Sequence, residues 1–295
     1  MNYLLKTDQS KRIMKSFFLF LFLCGGISVH AQKENSLLWE ISGNGLSKPS
    51  YVFGTIHMIC KEDFFMPDVV KQKFESSQHV FLEMDMDDPK MQGKMMKLAM
   101  LPAGENLKKL FGNDYPMVDS FFKAKAGMGL AVFNQFKPMM VMSMLYLKML
   151  PCTQTESYET TFMAMAKQQQ KDLKGLETIE DQMQVFDNIP DSVEVANILK
   201  MIKDFDAQVK QFADMVAVYK EQNIQKLYAS VSSSPDLMEA QDDLLKKRNS
   251  NWIPVMEQYM KEGQSFFAVG AAHLGGDIGL IALLKKAGYK VKAIK

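Results

Sequence analysis

The sequence predicts an α/β protein: a central mixed β-sheet flanked by helices, with a largely helical, methionine-rich middle region. Three observations carry that prediction. One short phrase occurs twice, as Tyr51-Val52-Phe53-Gly54-Thr55-Ile56-His57 and as Phe267-Ala268-Val269-Gly270-Ala271-Ala272-His273, each an apolar strand-like run closing in G-x-x-H. The chain ends on a strand, helix, strand pattern from Phe266 to Ile294. Between these ends, apolar residues recur at helical spacing, as at Val195, Ile198, Leu199, Ile202, Phe205, Val209 and Phe212.

Taken in order, Leu37 to Ser42 reads as a strand, Gly43 to Pro49 as a turn, and Tyr51 to Phe53 as a second strand, so the opening is hairpin-like. Pro67 to Ser77 reads as a helix and His79 to Met86 as a strand that ends in acidic residues before Pro89. Helices are expected over Pro89 to Leu101, Asp114 to Lys125 and Lys137 to Leu150. Their methionines, Met95, Met96, Met100, Met139, Met140, Met142, Met144 and Met149, sit among Leu, Val and Tyr and read as adaptable core or groove packing rather than a copper site. Thr155 to Lys171 is expected as a helix, Lys174 to Glu177 as a short strand, and Ile179 to Phe186 as a helix. Asp191 to Tyr228 holds one or two amphipathic helices, and Asp236 to Glu262 a further helix whose apolar face is broken by Arg248-Asn249 before Trp252. The closing unit is a strand from Phe266 to Ala271, a Gly275-Gly276 turn, a helix from Ile278 to Ala287 capped by Gly288, and a strand from Tyr289 to Ile294.

Composition narrows the class. A chain of 295 residues with 47% hydrophobic content buries a sizeable core, which excludes disordered and fibrous folds. Residues 1–31 read as a secretory signal: Lys6, Lys11, Arg12 and Lys15, then the apolar run Phe17 to Leu23, then Val29-His30-Ala31 before a cleavage point after Ala31. The expected location is therefore periplasmic or secreted, with residues 32–295 as a single domain. As an uncleaved anchor the apolar run is short and broken by Gly25-Gly26. A lipidated Cys24 is disfavoured by the bulky Leu23 before it. Without this segment the net charge is about −2, so no electrostatic surface for nucleic acid is expected. The mature chain keeps three histidines, His57, His79 and His273, and two cysteines. Cys60 and Cys152 either pair as one disulfide or remain two free thiols.

Chemistry concentrates at the expected strand ends. His57, Glu83 and His273 each close an apolar run, the position where functional groups gather in open α/β sheets. Two neutral imidazoles and a carboxylate form a recurring set for a divalent metal. Glu83 needs a nearby metal, cation or arginine, because an unpaired buried carboxylate costs several kcal/mol. Glu177 closes its strand as Glu83 does, and Arg248 is a candidate buried partner for one carboxylate. Asp85 and Asp87 read as solvated or capping residues, and His79 as structural.

The ordered set Gly54-Thr55-Ile56-His57, Phe81-Leu82-Glu83-Met84-Asp85, Lys137-Pro138, Gly175-Leu176-Glu177-Thr178 with Gln182, Arg248-Asn249, and Val269 to Gly276 resembles the TraB/GumN family over Leu37 to Ile294. That family is similar to the TIKI metal-dependent proteases and, more distantly, to erythromycin-esterase-like and ChaN-like proteins. The resemblance implies an α/β fold with His57, Glu83 and His273 lining one cleft, and Glu177 and Arg248 as second candidates. One departure is Met139, where many relatives carry an aromatic residue after Lys-Pro; it bears on the substrate groove. The expectation is an exported metal-dependent hydrolase, a peptidase acting on a peptide or protein. Its divalent Mn²⁺, Co²⁺ or Zn²⁺ is held by His57, His273, Glu83 and Glu177, with Glu83 as third ligand or general base and Arg248 stabilising the oxyanion. The alternatives are a non-catalytic protein that sequesters a peptide or other ligand in the same cleft, and a metal-free esterase with a histidine base.

Overall fold

The opening residues form an antiparallel hairpin of β1 (Leu38–Ser42) and β2 (Ser50–Thr55), with Leu38 opposite Phe53 and Ile41 opposite Ser50. Gly43, Asn44 and Gly45 all take positive φ in the turn, the conformation these residue types tolerate best. The computed structural model describes residues 35–233 and 242–295. The expected signal segment with its expected cleavage point, and the first part of the helix expected from Asp236, lie outside the described residues.

Beyond the hairpin come β3 (Ile59–Cys60), α1 (Asp68–Ser76) and β4 (His79–Met84). With β6 (Leu173–Glu177), β7 (Ser265–Gly270) and β8 (Lys290–Ile294), the six-stranded sheet runs in the order β6-β4-β7-β2-β1-β8. The first four are parallel to their neighbours, whereas β1 and β8 join antiparallel, so the sheet is mixed as expected. β2 and β7 are buried almost throughout because helices cover both faces, which is why both read as continuous apolar runs. The helix α12 (Leu280–Lys286) carries the chain from β7 past the hairpin to the far edge, where β8 pairs with β1.

The main core centres on Phe53, Phe74, Phe81, Phe162, Phe266, Phe267 and Trp252, all fully buried. A second cluster belongs to the helical middle, where α3 (Leu107–Phe111), α4 (Tyr115–Ala126), α5 (Pro138–Met149) and α8 (Asp191–Lys203) pack Phe111, Phe122, Leu145 and Ile198 together.

Several elements differ from expectation for local reasons. The strand from His79 stops at Met84, ahead of the Asp-rich turn. The helix α2 covers only Met91–Leu98, and its Met95, Met96 and Met100 neighbourhood faces solvent rather than a core. Thr155–Glu156 forms β5, paired with β3, and α6 (Tyr158–Gln168) begins only after Ser157, whose hydroxyl accepts from Thr160 N. The long amphipathic stretch is three helices: α8, α9 (Phe205–Lys220) and α10 (Ile224–Ser232). It breaks at Asp204 and again at Gln222, which takes φ 56°, before Asn223 caps α10. The helix α7 (Ile179–Asp187) opens on a Thr178–Asp181 capping box. The helix α11 (Arg248–Glu262) follows a wide π-turn at Asp242–Lys247, which puts Arg248 in its first turn.

Cys60 and Cys152 form a disulfide that fastens β3 to the segment leading into β5. Closing a span of 92 residues removes much chain entropy from the unfolded state, worth about 4.6 kcal/mol in the loop-closure model. Urea unfolding of the Cys60→Ser, Cys152→Ser variant should show a loss of that order. An unchanged midpoint would mean that the neighbouring packing alone holds this clip.

Candidate functional site

Four adjacent parallel strands each deliver one candidate residue to the same edge of the sheet. In spatial order these are Glu177 at the end of β6, Glu83 near the end of β4, His273 three residues beyond β7 and His57 two residues beyond β2. Parallel pairing brings the two G-x-x-H phrases side by side, with Gly54 opposite Val269 and Thr55 opposite Gly270. Gly54 is required by packing: a Cβ there would meet Leu274 Cδ1 at 2.9 Å and Ala271 Cβ at 3.0 Å. Gly270 leaves space in the site itself, since a Cβ would lie 3.3 Å from Glu83 Oε1, 3.6 Å from His273 Cδ2 and 3.9 Å from His57 Nε2.

Arg248 reaches this edge from the first turn of α11 and joins both carboxylates. Its Nη2 donates to Glu83 Oε2 and to Glu177 Oε1, each at 2.6 Å, and its Nε donates to Glu177 at 3.0 and 3.1 Å. Trp252, one turn along, donates to Glu177 Oε2 at 3.0 Å and lies 4.8 Å beneath the guanidinium. Gln182 of α7 bridges Glu83 Oε2 and Glu177 Oε1, each at 3.2 Å. Gly270 N donates to Glu83 Oε1 at 2.8 Å. Burial disfavours the Glu83 anion, but the charge of Arg248, with His57 and the Gly270 amide, outweighs it and holds the carboxyl well below its usual value. For Glu177, burial and the nearby Glu83 charge prevail over Arg248 and push the carboxyl up.

The two histidines are held alike. His273 Nδ1 donates to Asn249 Oδ1 at 2.7 Å, and Asn249 is itself fixed by donation to Ile278 O at 2.8 Å. This leaves His273 Nε2 as an acceptor, 3.2 Å from Arg248 Nη1 and 3.9 Å from Glu83 Oε1. Burial lowers the His273 pKa to about 3, so the ring is neutral. His57 Nδ1 donates to Glu159 Oε1 at 3.1 Å, while Thr55 Oγ1 and Ser157 Oγ donate to the same carboxylate at 2.8 and 2.9 Å. Desolvation by its neighbours opposes charge on His57, but Glu159 and Glu83 prevail and raise the ring's pKa. The side chain is 71% exposed, so water screens these contributions.

Donor type and tautomer fit a divalent ion, because a neutral imidazole whose Nδ1 donates to an oxygen keeps Nε2 free of a proton. The donors are more open than a closed coordination sphere. Among the described residues, Cys60, Glu62 and Cys152 are the set of three ligand atoms within 4.8 Å of one another, and the disulfide consumes both sulfurs. Glu177 has both oxygens engaged by Arg248, Trp252 and Gln182.

Glu159 and Asn249 went unassigned in the sequence. Asn249 had a signal, as the polar neighbour of Arg248 on an apolar helix face; Glu159, on a helix 102 residues from His57, had none. His79 stands at the opposite end of β4, edge-on to Tyr259, with its Nε2 buried and unpaired. Asp85 and Asp87 lean on each other, and partial desolvation together with that contact pushes the Asp87 carboxyl up to about 6. Beside His57 opens a cavity of about 400 Å³ walled by Ile56, Met58, Leu147, Leu150, Phe212 and Met215. Among the described residues no helix is long and apolar enough to cross a membrane.

A helix-flanked mixed sheet whose parallel strands gather two imidazoles and two carboxylates at their carboxyl edge defines an α/β protein with a polar cluster at one end of its sheet. The chain belongs to the TraB/PrgY/gumN family, whose profile matches residues 37–293. It is 38% identical over 86 residues to Metalloprotease TIKI2 of Danio rerio, an alignment covering 28% of this chain and 17% of that protein. It is 40% identical over 81 residues to Metalloprotease TIKI1 of Homo sapiens, covering 27% and 15%. A longer alignment, 22% identical over 323 positions, takes in 88% of this chain and 62% of the Metalloprotease TIKI homolog of Amphimedon queenslandica. The matched region thus spans less than two thirds of each of these relatives. No solved structure matches significantly.

Replacing Arg248 with Ala strands two buried carboxylates, and the expected cost is about 3–5 kcal/mol in urea unfolding. Acid should act through the same contact. The folded Glu83 pKa lies below its usual 4.5, so its contribution is complete above about pH 4.5 and drains as pH falls toward the folded value. A wild-type stability profile that stays flat from pH 5 to pH 3 would contradict this account.

Proposed function

We propose that this chain is an exported metal-dependent hydrolase, acting as a peptidase on a peptide or protein. One observation carries the reading: His57 and His273 each have Nδ1 tied to an acceptor, Glu159 and Asn249, while His57 Nε2 borders the space over Gly270 beside Glu83 and His273 Nε2 lies 3.9 Å from Glu83 Oε1. His57 Nε2, His273 Nε2 and Glu83 Oε1 would hold a divalent ion such as Mn²⁺, Co²⁺ or Zn²⁺. When bound, that ion supplies Lewis-acid polarisation of a carbonyl and activation of water. The relatives named metalloproteases support the reaction class. Export rests on the amino-terminal signal pattern, and a disulfide accords with an oxidising compartment.

The protein's own groups have separate tasks. Glu159 fixes the His57 tautomer and ring orientation, as Asn249 does for His273. Glu177, with both oxygens committed, anchors Arg248 rather than meeting substrate. Arg248 Nη1, whose partners are His273 Nε2 and Leu244 O, is the guanidinium group best placed to turn toward a developing oxyanion. The apolar cavity beside His57 would receive substrate side chains and exclude water.

Calorimetric titration of metal-stripped residues 32–295 with Mn²⁺, Co²⁺ and Zn²⁺ tests the assignment. Binding is expected in the wild type and absent in His57→Ala and His273→Ala, and Glu159→Gln should weaken it by about 10- to 100-fold. Cleavage of a peptide panel should follow the same order. Binding without turnover would point to a sequestering protein. A second reading comes from the Glu159–His57 contact, which has the geometry of a histidine base oriented by a carboxylate. Hydrolysis that persists in excess chelator but is lost in His57→Ala would select it.

A further inference from the structure

Outside this cleft, a cavity of about 250 Å³ lies among the first turn of α8, the carboxyl end of α7 and the start of α5, lined by Leu101, Pro102, Lys137, Met139, Phe186, Asp187, Ile189, Asp191 and Glu194. Its unusual member is Glu194. Acidic residues in a helix's first turn are commonplace on a surface, where the macrodipole favours them. Glu194 is 5% exposed, and among the described residues no hydrogen bond or ion pair reaches its carboxylate. Lys137, the cation in the cavity lining, is ion-paired with Asp187. An ionisable group so little hydrated and without a partner is costly, and five of the nine lining residues, Leu101, Pro102, Met139, Phe186 and Ile189, are apolar.

We infer that this cavity binds a primary ammonium group on an aliphatic stem, such as a lysine side chain, with Glu194 as its buried counter-ion and Asp191 at its rim. The apolar side, Leu101, Pro102, Met139, Phe186 and Ile189, suits the methylene stem, and one unpaired carboxylate suits a point charge better than a planar guanidinium fork. Burial, then the charges of Asp191 and Asp187 against Lys137, pushes the Glu194 carboxyl up to about 7, so an arriving cation would displace its proton. Phe186 follows Gln182 by about one turn of α7, and Gln182 touches Glu83 and Glu177, which places this wall of the cavity about 6 Å along that helix from the candidate site. That the ammonium belongs to a peptide substrate rests on the peptidase reading; ammonium binding itself does not.

The test is calorimetric titration of the protein at pH 8 with N-acetyl-lysine amide, against its uncharged isostere N-acetyl-norleucine amide. The lysine amide is expected to bind, the norleucine amide to bind far more weakly, and Glu194→Gln to reduce lysine amide affinity by about tenfold or more. His57→Ala should leave that binding intact, which separates this outcome from failure of the proposed metal site. No binding of the lysine amide, equal binding of the two amides, or undiminished binding by Glu194→Gln would each overturn the inference. Thermal melts of Glu194→Gln guard against misfolding, since removing an unpaired buried acid should raise the Tm at pH 8.

Discussion

The guanidinium of Arg248 between Glu83 and Glu177 is the contact on which the carboxyl edge of this sheet depends. Two carboxylates buried on neighbouring parallel strands repel each other and lose most of their hydration. A single arginine, with five donors in a fixed plane, meets both anions at once and has Trp252 beneath it. The same contact docks the first turn of α11 onto β4 and β6, and the next residue, Asn249, then sets His273. The electrostatic cluster and the orientation of one imidazole therefore share an origin in two consecutive residues.

The two halves of the cleft are built by different means. On the Glu83 side Glu83, Arg248, Asn249 and His273 are buried and hydrogen-bonded in a chain, and His273 is neutral. On the His57 side the ring is open to solvent and is oriented by one carboxylate that three side chains share. A rigid wall facing an accessible imidazole suits a site that admits a large ligand while holding its polar groups in place. The apolar cavity lies on the open side, where Met58 and Met215 give walls that adapt to more than one shape.

Much of the architecture was legible because it is written locally. Apolar runs ending at Gly54, Gly270 and Glu177 mark strands whose carboxyl ends carry chemistry, and the turn at Gly43 to Gly45 fixes the hairpin. Element boundaries are less legible wherever a cap or a break competes with periodicity. Ser157 stopped α6 from extending back to Thr155, and Asp204 and Gln222 cut one apolar stripe into three helices. Met95, Met96 and Met100 look like core residues in sequence, yet α2 is too short and too peripheral to bury them.

The sequence by itself determined the α/β character, the strand ends and the identity of the residues that meet there, since a glycine after an apolar run constrains only its own neighbourhood. Tertiary structure decided the rest. It set the strand order that aligns Glu177, Glu83, His273 and His57, the sharing of Arg248 between two acids, and the closing of Cys60 on Cys152. It also brought Glu159 to His57 and left Glu194 buried without a partner. These are pairings between residues far apart in the chain. Their energies depend on burial and distance, which exist only once the sheet and its helices have packed.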